Sequence, residues 1–136
     1  MSARAKARKA ALDILFESDL RGTAPVHTLQ QRIAEAETPV RDYTKTLVQG
    51  VAEHIHEIDE RIVAGLSAGW SLERMPRVDR TAVRIAVYEI DFLDVPDAVA
   101  VAEAVALVAD LSTDDSPDYV NGLLGKIISS KVAPQG

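Results

Sequence analysis

Hydrophobic positions recur along the chain at helical rather than alternating spacing. In the opening segment, Leu12, Phe16 and Leu20 follow one another at every fourth position, which places them on one face of a helix. The pattern predicts a first helix over residues 4–20 and, after a break containing Gly and Pro, a shorter second helix over residues 26–36. Because alternating apolar runs are sparse, the fold class indicated is all-α.

A longer apolar stripe begins after the Thr-Pro pair at residues 38–39. It keeps to one face for about five turns, which predicts a single continuous third helix, the longest of the chain. The positions on this face are Leu47, Val51, Ile55, Ile58, Ile62 and Leu66.

Two further amphipathic segments follow. The segment over residues 77–93 should form a central helix, because its apolar residues cover two sides. Its inward face is expected to carry Val83, Ala86, Val87, Ile90 and Leu93. The next helix is expected to bury Val101, Ala104, Val105, Val108 and Leu111.

The last segment, SPDYVNGLLGKI, contains Asn121-Gly122, a dipeptide typical of tight hairpin turns. Its flanking apolar residues nevertheless recur at helical spacing, and Ser116 followed by Pro117 is typical of a helix start with Ser as the cap. A helix is therefore predicted. Gly122 and Gly125 should each cost it about 1 kcal/mol relative to alanine, so we expect a neighbouring element to pack closely against them.

Composition narrows the class of protein. With 136 residues, 47% of them hydrophobic, the chain is expected to form one domain over residues 1–136. The absence of cysteine excludes disulfides, thiolate nucleophiles and cysteine-bound metal. No apolar run approaches the roughly 18 residues that span a bilayer, and acidic residues interrupt the segment where a signal peptide would lie. A cytoplasmic protein without a membrane partner is expected.

The net charge of −6 is unevenly distributed. Residues 1–9 hold four cations and no acid, which leaves −10 on the remainder. We call the four residues Arg4, Lys6, Arg8 and Lys9 the basic arm. The arm is either a solvated chain terminus or a patch that binds nucleic-acid phosphates with a strong dependence on salt.

The most enzyme-like cluster is EHIHE, in which Glu53-x-x-His56 has the spacing of helical di-iron ligands. No second copy occurs, and both side chains should point away from the buried face set by Ile55 and Ile58. Glycine-rich phosphate-binding loops are also missing. The sequence therefore predicts no enzyme, no cofactor and no metal site.

Taken in order, several segments resemble the NusB family of bacterial antitermination factors. They are ARAKARKAALDILFESDL, RVDRTAVRIAVYEIDFL, DVPDAVAVAEAVALVADLSTDDSP and YVNGLLGKI, and together they cover nearly the whole chain. The resemblance implies two packed helical bundles of about seven helices. It also implies that, with the ribosomal protein NusE, the protein binds the boxA segment of nascent ribosomal RNA and helps RNA polymerase pass terminators, without catalysis.

The resemblance assigns RNA contact to three parts of the chain. Arg4, Lys6, Arg8 and Lys9 are expected to bind phosphates. Tyr119 is expected either to stack on an unpaired base or to be a core aromatic. Asp115 matches an acidic position near the RNA surface, where it would restrain affinity or cap the following amides. Asp110 and Asp118 stand where the family often carries lysine, which makes this surface less basic.

The resemblance also assigns Phe16, Asp79 and Arg80 to the surface that faces NusE. Core packing is an alternative for Phe16, and an interaction with the helix macrodipole is an alternative for Asp79. Arg84 is expected to pair with a carboxylate on another helix, with Glu103 as the candidate. A competing hypothesis keeps the fold without RNA binding, as a helical interaction module or a homodimer.

Overall fold

The computed structural model describes residues 1–130, and this part of the chain contains helices and no strand. The helices are α1 (Ala3–Arg21), α2 (Pro25–Glu35), α3 (Asp42–Glu53), α4 (Ile55–Gly65), α5 (Arg77–Phe92), α6 (Asp97–Leu111) and α7 (Ser116–Ser129), with a short 3-10 turn at Leu72–Arg74. The predicted all-α class is confirmed. Within the described residues, no helix combines the length and apolarity needed to cross a membrane.

The helices form two packed bundles that share α5. In the first, α1, α2 and α3 pack on one another, and in the second α4, α5, α6 and α7 do so. Helix α5 also packs on α1 and α3, so it joins the two cores. Of its predicted inward residues, Val83, Ala86, Val87 and Ile90 are buried, whereas Leu93 follows the last helical residue and is only partly buried. The two-bundle architecture and the central place of this helix are confirmed.

The prediction of one long third helix is wrong, because the chain breaks at His54 into α3 and α4. His54 leaves helical geometry with φ −109° and ψ 23°. The apolar stripe continues across the break, with Val51 buried before it and Ile58 buried after it, and so periodicity alone does not reveal it. The longest helix is α1, with 19 residues.

Helix α6 buries a narrower stripe than predicted. Ala100, Ala104 and Val108 are buried, Val101 and Val105 are only partly covered, and Leu111 is 37% exposed. The small residues on the buried face let α6 lie close to α5 and α7, which both contact it. Apolar residues toward the end of α6 are consequently left near the surface.

The predicted close packing against Gly122 and Gly125 is also wrong. A Cβ atom built at either position would have nothing within 4 Å. The close approaches lie in the preceding helices instead. A Cβ at Gly50 would stand 1.9 Å from Cζ of Tyr88, and one at Gly65 would stand 3.0 Å from Cγ1 of Ile127.

Candidate RNA-binding and partner-binding surfaces

The basic arm forms the first turns of α1, and its four cations have different surroundings. Ser2 caps the helix by accepting a hydrogen bond from the Ala5 amide at 3.0 Å. Arg8 is only 3% exposed. Its Nε donates to both carboxylate oxygens of Glu89, at 2.9 and 3.2 Å, and its Nη1 donates to Glu103 at 3.0 Å. Arg8 therefore anchors α1 to α5 and α6, which corrects the expectation that it is free to bind phosphate.

Tyr43 joins the same cluster from α3. Its hydroxyl donates to the Glu89 carboxylate, and the Arg4 guanidinium carbon lies 3.8 Å from its ring centroid. Burial, followed by the hydrogen bond to Glu89 and the charge of that carboxylate, raises the pKa of Tyr43 to about 12. Arg4 remains exposed, so Tyr43 orients an arginine that can still be reached from solvent.

Lys6 and Lys9 complete the accessible part of the arm. Lys6 is exposed and Lys9 is partly exposed. Lys9 lines a surface groove of about 230 Å³ together with Glu103 and Asp110. The arm thus presents Arg4, Lys6 and Lys9, with acidic side chains beside Lys9.

Asp79 lies in the first turn of α5, where it is 1% exposed. Its two oxygens accept hydrogen bonds from Ser112 at 2.7 Å and from Ser116 at 2.9 Å. Asp79 therefore holds the α6–α7 connection onto α5 and is not exposed to a partner.

The prediction that Ser116 caps the last helix is wrong, because Ser116 is the first residue of α7. Asp115 precedes it and makes no side-chain capping bond.

Two hydrogen-bond acceptors hold the Arg80 guanidinium in place. Its guanidinium donates to Asp19 at 2.8 Å and to the Leu72 carbonyl at 2.7 Å, and Arg77 also donates to Asp19 at 2.8 Å. Burial alone would raise the pKa of Asp19, but the hydrogen bonds and charges of Arg80 and Arg77 outweigh it and lower the pKa below its usual value. Arg80 is thus mainly a structural tie between α1 and α5.

Phe16 is partly buried and lines an open groove of about 370 Å³. Leu20, which is 59% exposed, and Leu111 extend the apolar lining. Charged residues of α1, among them Glu17 and Arg21, border the same groove. We call this the Phe16 groove. An apolar centre with a charged border has the anatomy of a protein-binding surface.

Tyr119 and Asp115 lie at the far end of α5 from the basic arm. Asp115 is exposed, and burial with the charge of Asp79 raises the pKa of Tyr119. Asp79 precedes Glu89, the anchor of the arm, by ten helical residues, or about 15 Å along α5. The residues predicted to bind RNA therefore occupy two separate surfaces rather than one.

Three residues at these surfaces and one ion pair were not predicted from the sequence. Tyr43 and Glu89 are joined to the arm only by the tertiary fold, and Trp70 contacts Tyr119 with ring centroids 5.5 Å apart. Arg84 pairs with Asp59 at 2.8 and 2.9 Å, so the predicted partner was wrong. Helix α4 supplies the carboxylate that α6 was expected to provide.

Within residues 1–130, no group of three or more His, Asp or Glu side chains could hold a metal ion. In the EHIHE segment, Glu53 and His56 are exposed, as their helical positions predict. His54 faces Phe92 instead, with ring centroids 4.1 Å apart, and its Nδ1 lies 3.1 Å from Glu57.

Residues 5–129 match the sequence profile of the NusB family. The chain belongs to this family. It is 58% identical over 132 residues to the transcription antitermination protein NusB of Nocardioides sp., with 96% of this chain and 97% of that relative covered. The corresponding protein of Kineococcus radiotolerans is 51% identical over 132 residues, with 96% of each chain covered.

Solved structures agree with the fold. A T. maritima NusB structure superposes with a TM-score of 0.84 at 29% identity, covering 98% of this chain and 95% of that one. A chain from a crystal structure of antitermination factors NusB and NusE in complex with dsRNA gives 0.81 at 30% identity, with coverage of 95% and 99%. Membership of this NusB family explains the two-bundle architecture.

Proposed function

We propose that the protein acts with the ribosomal protein NusE to bind the boxA segment of nascent ribosomal RNA and to promote antitermination by RNA polymerase. The observation that carries this proposal is the near full-length match to relatives named transcription antitermination protein NusB. The similar structure that combines NusB, NusE and dsRNA supports RNA and NusE as the partners. The role is one of binding without catalysis, and a cytoplasmic location stays a prediction.

The accessible cations of the arm are the proposed phosphate contacts. Arg4, Lys6 and Lys9 remain accessible, whereas Arg8 is enclosed by carboxylates. Because the remainder of the chain is acidic, phosphate binding should be confined to the arm and should weaken steeply with salt. Tyr119 and Asp115 are proposed to lie on a second RNA-facing surface.

The Phe16 groove is the proposed NusE surface. Phe16 and Leu20 supply exposed apolar area, and Glu17 and Arg21 supply charges of both signs that could set orientation. Asp79 and Arg80, the other two residues expected at this surface, would act indirectly by holding the α6–α7 connection and the start of α5.

The proposal is tested by measuring binding of a labelled boxA-like single-stranded RNA, with and without NusE, at several salt concentrations. A variant with alanine at Arg4, Lys6 and Lys9 should bind weakly and lower the slope of log affinity against log salt by about 2, since each single-strand phosphate contact contributes about 0.7. Arg21→Ala serves as the matched control for Lys6→Ala, and the two are compared in the absence of NusE. Each variant loses one exposed cation, Lys6 near the start of α1 and Arg21 at its end. Only the first should weaken RNA binding.

Unchanged RNA affinity in the three-alanine variant would contradict the assignment of the arm. Failure of the wild-type protein to bind RNA, with NusE present, would contradict the proposed function and favour the alternative of a helical interaction module. Sedimentation of the protein alone would show whether a homodimer forms.

A further inference from the structure

A groove of about 300 Å³ lies between the end of α1, the start of α2 and the first half of α5, beside the break that separates α3 from α4. Its apolar wall includes Leu15 of α1, Val51 and Ala52 of α3 and Ile55 of α4. Arg84 of α5 also lines it, and we call it the Arg84 groove. This volume is at the lower limit for ligand pockets, so the groove suits a group the size of one residue rather than a helix.

One donor at this groove has no partner in the described part of the chain. The Arg84 guanidinium donates from Nε and Nη2 to the two carboxylate oxygens of Asp59, at 2.8 and 2.9 Å. These two nitrogens share one edge of the planar group, so Nη1 points away from Asp59. Asp59 does not line the groove, whereas Arg84 does. Arg84 is therefore held in place by Asp59 with the N–H bonds of Nη1 left for an acceptor.

The groove also offers one acceptor. The hydroxyls of Ser18 and Thr81 donate to backbone carbonyls at 2.7 and 2.8 Å, so neither requires a ligand. Asp19 accepts from Arg77 and Arg80 through Oδ2 alone. Its Oδ1 accepts no hydrogen bond from residues 1–130, and no ion pair joins it to the guanidinium of the groove.

The charges around the groove favour an anionic occupant. Arg77, Arg80 and Arg84 outnumber Asp19 and Asp59 by one, so a carboxylate is attracted to the unpaired Nη1. A cation beside Asp19 would be repelled by the two arginines that already bind this carboxylate, but a neutral N–H can still donate to Oδ1. An apolar side chain, a neutral N–H and a carboxylate occur together in the last residue of a polypeptide, a group that proteins are known to capture.

The Arg84 groove is separate from the other two surfaces. It shares no lining residue with the Phe16 groove and includes no residue of the basic arm. Ser18 lies two positions after Phe16 and therefore on the opposite side of α1. Val26 follows Pro25 of the groove lining and is 42% exposed. Because a single small acid would leave this apolar surface uncovered, the charge and shape of the region favour a longer chain.

We propose that the Arg84 groove binds the C-terminal residue of a further protein partner, one with an apolar side chain such as leucine. The terminal carboxylate accepts from Nη1 of Arg84, the backbone N–H of the same residue donates to Oδ1 of Asp19, and the side chain packs on Leu15, Val51 and Ile55. The inference goes beyond the proposed function, because it requires neither RNA nor NusE. It adds a third surface that stays accessible when both are bound.

The test uses isothermal titration calorimetry with an acetylated tripeptide of two alanines and a C-terminal leucine. The control is the same peptide with a C-terminal carboxamide, which keeps the side chain and removes the charge. The acid should bind at least about tenfold more tightly, as expected for a hydrogen bond to a charged group. Free leucine should bind more weakly than the acid peptide, because its ammonium group meets the arginines beside Asp19. Adding NusE and boxA-like RNA should leave the peptide affinity unchanged.

Three variants locate the binding. Ala52→Leu fills the groove and should abolish peptide binding, whereas Ala34→Leu makes the same change at an exposed position of α2 outside the lining and should match the wild type. Arg84→Lys keeps a cation for Asp59 but loses the second N–H edge, so the acid and amide peptides should bind it about equally. Melting temperatures close to that of the wild type would show that these variants are folded.

Several results would overturn the inference. Equal affinity of the wild type for the acid and amide peptides, or no binding of either at millimolar concentration, would reject it and leave the proposed function intact, since RNA and NusE binding are measured separately. Binding retained by a folded Ala52→Leu variant would place the peptide elsewhere. Free leucine binding as tightly as the acid peptide would assign the groove to a free amino acid, and loss of peptide binding on addition of NusE would assign it to NusE.

Discussion

Arg8 and Glu89 form a buried ion pair between residues 81 positions apart in the sequence. The pair ties the start of α1 to α5, and Glu103 and Tyr43 complete the cluster from α6 and α3. One buried cation thus fixes the direction in which the exposed cations of the same helix project. Arg8 therefore links the stability of the fold to the positions of the exposed cations in the basic arm.

Replacing Arg8 should destabilise the fold strongly. Arg8→Ala leaves Glu89 buried without its cation, and breaking a buried pair from one side typically costs about 3–5 kcal/mol. Lys9→Ala, one residue further along the helix, should change the free energy of unfolding by less than about 0.5 kcal/mol. Urea unfolding followed by circular dichroism measures both. Equal midpoints for the two variants would refute the anchoring role of Arg8.

Tyr43 should make stability fall at high pH. Its pKa is raised in the folded state to about 12 from the usual tyrosine value of 10.0, so the folded protein holds this proton more tightly than the unfolded chain. The resulting stability is complete below about pH 10 and is lost as pH rises through about 12. Tyr43→Phe, which cannot ionise, should show a smaller loss when urea midpoints are compared between pH 9 and 11.5. Parallel pH profiles would contradict this assignment.

Orientation of Arg4 by Tyr43 should appear in RNA binding. Tyr43→Leu removes the ring beneath Arg4, whereas Tyr43→Phe keeps it. A double-mutant cycle between Arg4→Ala and Tyr43→Leu should show a coupling of about 0.5–1 kcal/mol in RNA binding. Independent effects of the two substitutions would show that Arg4 binds RNA without help from the ring.

The helices were predictable because apolar residues recur along the sequence at helical spacing. The same spacing made the buried position of Arg8 partly predictable. Arg8 precedes Leu12 by one turn, so it shares the face of a residue that the apolar stripe places in the core. Exposed Lys6 lies elsewhere around the same helix. The identity of the buried partner was not predictable, since Glu89 reaches Arg8 only through the packing of α5 on α1.

The break between two helices and the close contacts at glycines were harder to predict, because they depend on the residues that pack against the helix from elsewhere in the chain. The apolar stripe runs through His54 without a change of face, so the division between α3 and α4 leaves no periodic signal. Gly50 looks like an ordinary helical glycine in the sequence, yet it faces the ring of Tyr88. Gly122 carried the stronger local signal and faces open space.

Gly50→Ala should therefore behave unlike alanine at Gly122 or Gly125. The new methyl carbon would lie 1.9 Å from Tyr88 Cζ, and overpacking of a well-packed site typically costs about 1–3 kcal/mol. Part of this is offset by the better helix propensity of alanine, about 1 kcal/mol. We expect a lower melting temperature for Gly50→Ala and a higher one for Gly125→Ala. A stabilised Gly50→Ala protein would show that Tyr88 moves aside freely.

Substitution at Asp79 separates a structural role from direct contact with NusE. Asp79→Ala leaves the Ser112 and Ser116 hydroxyls without their shared acceptor, and a hydrogen bond to a charged group contributes about 1.5–3 kcal/mol. We expect lower stability and faster amide hydrogen exchange at residues 112–116. NusE affinity of the folded fraction should stay close to that of the wild type, whereas Phe16→Ala should weaken NusE binding with a smaller effect on exchange at these residues. Loss of NusE binding in Asp79→Ala without faster exchange would place Asp79 at the interface itself.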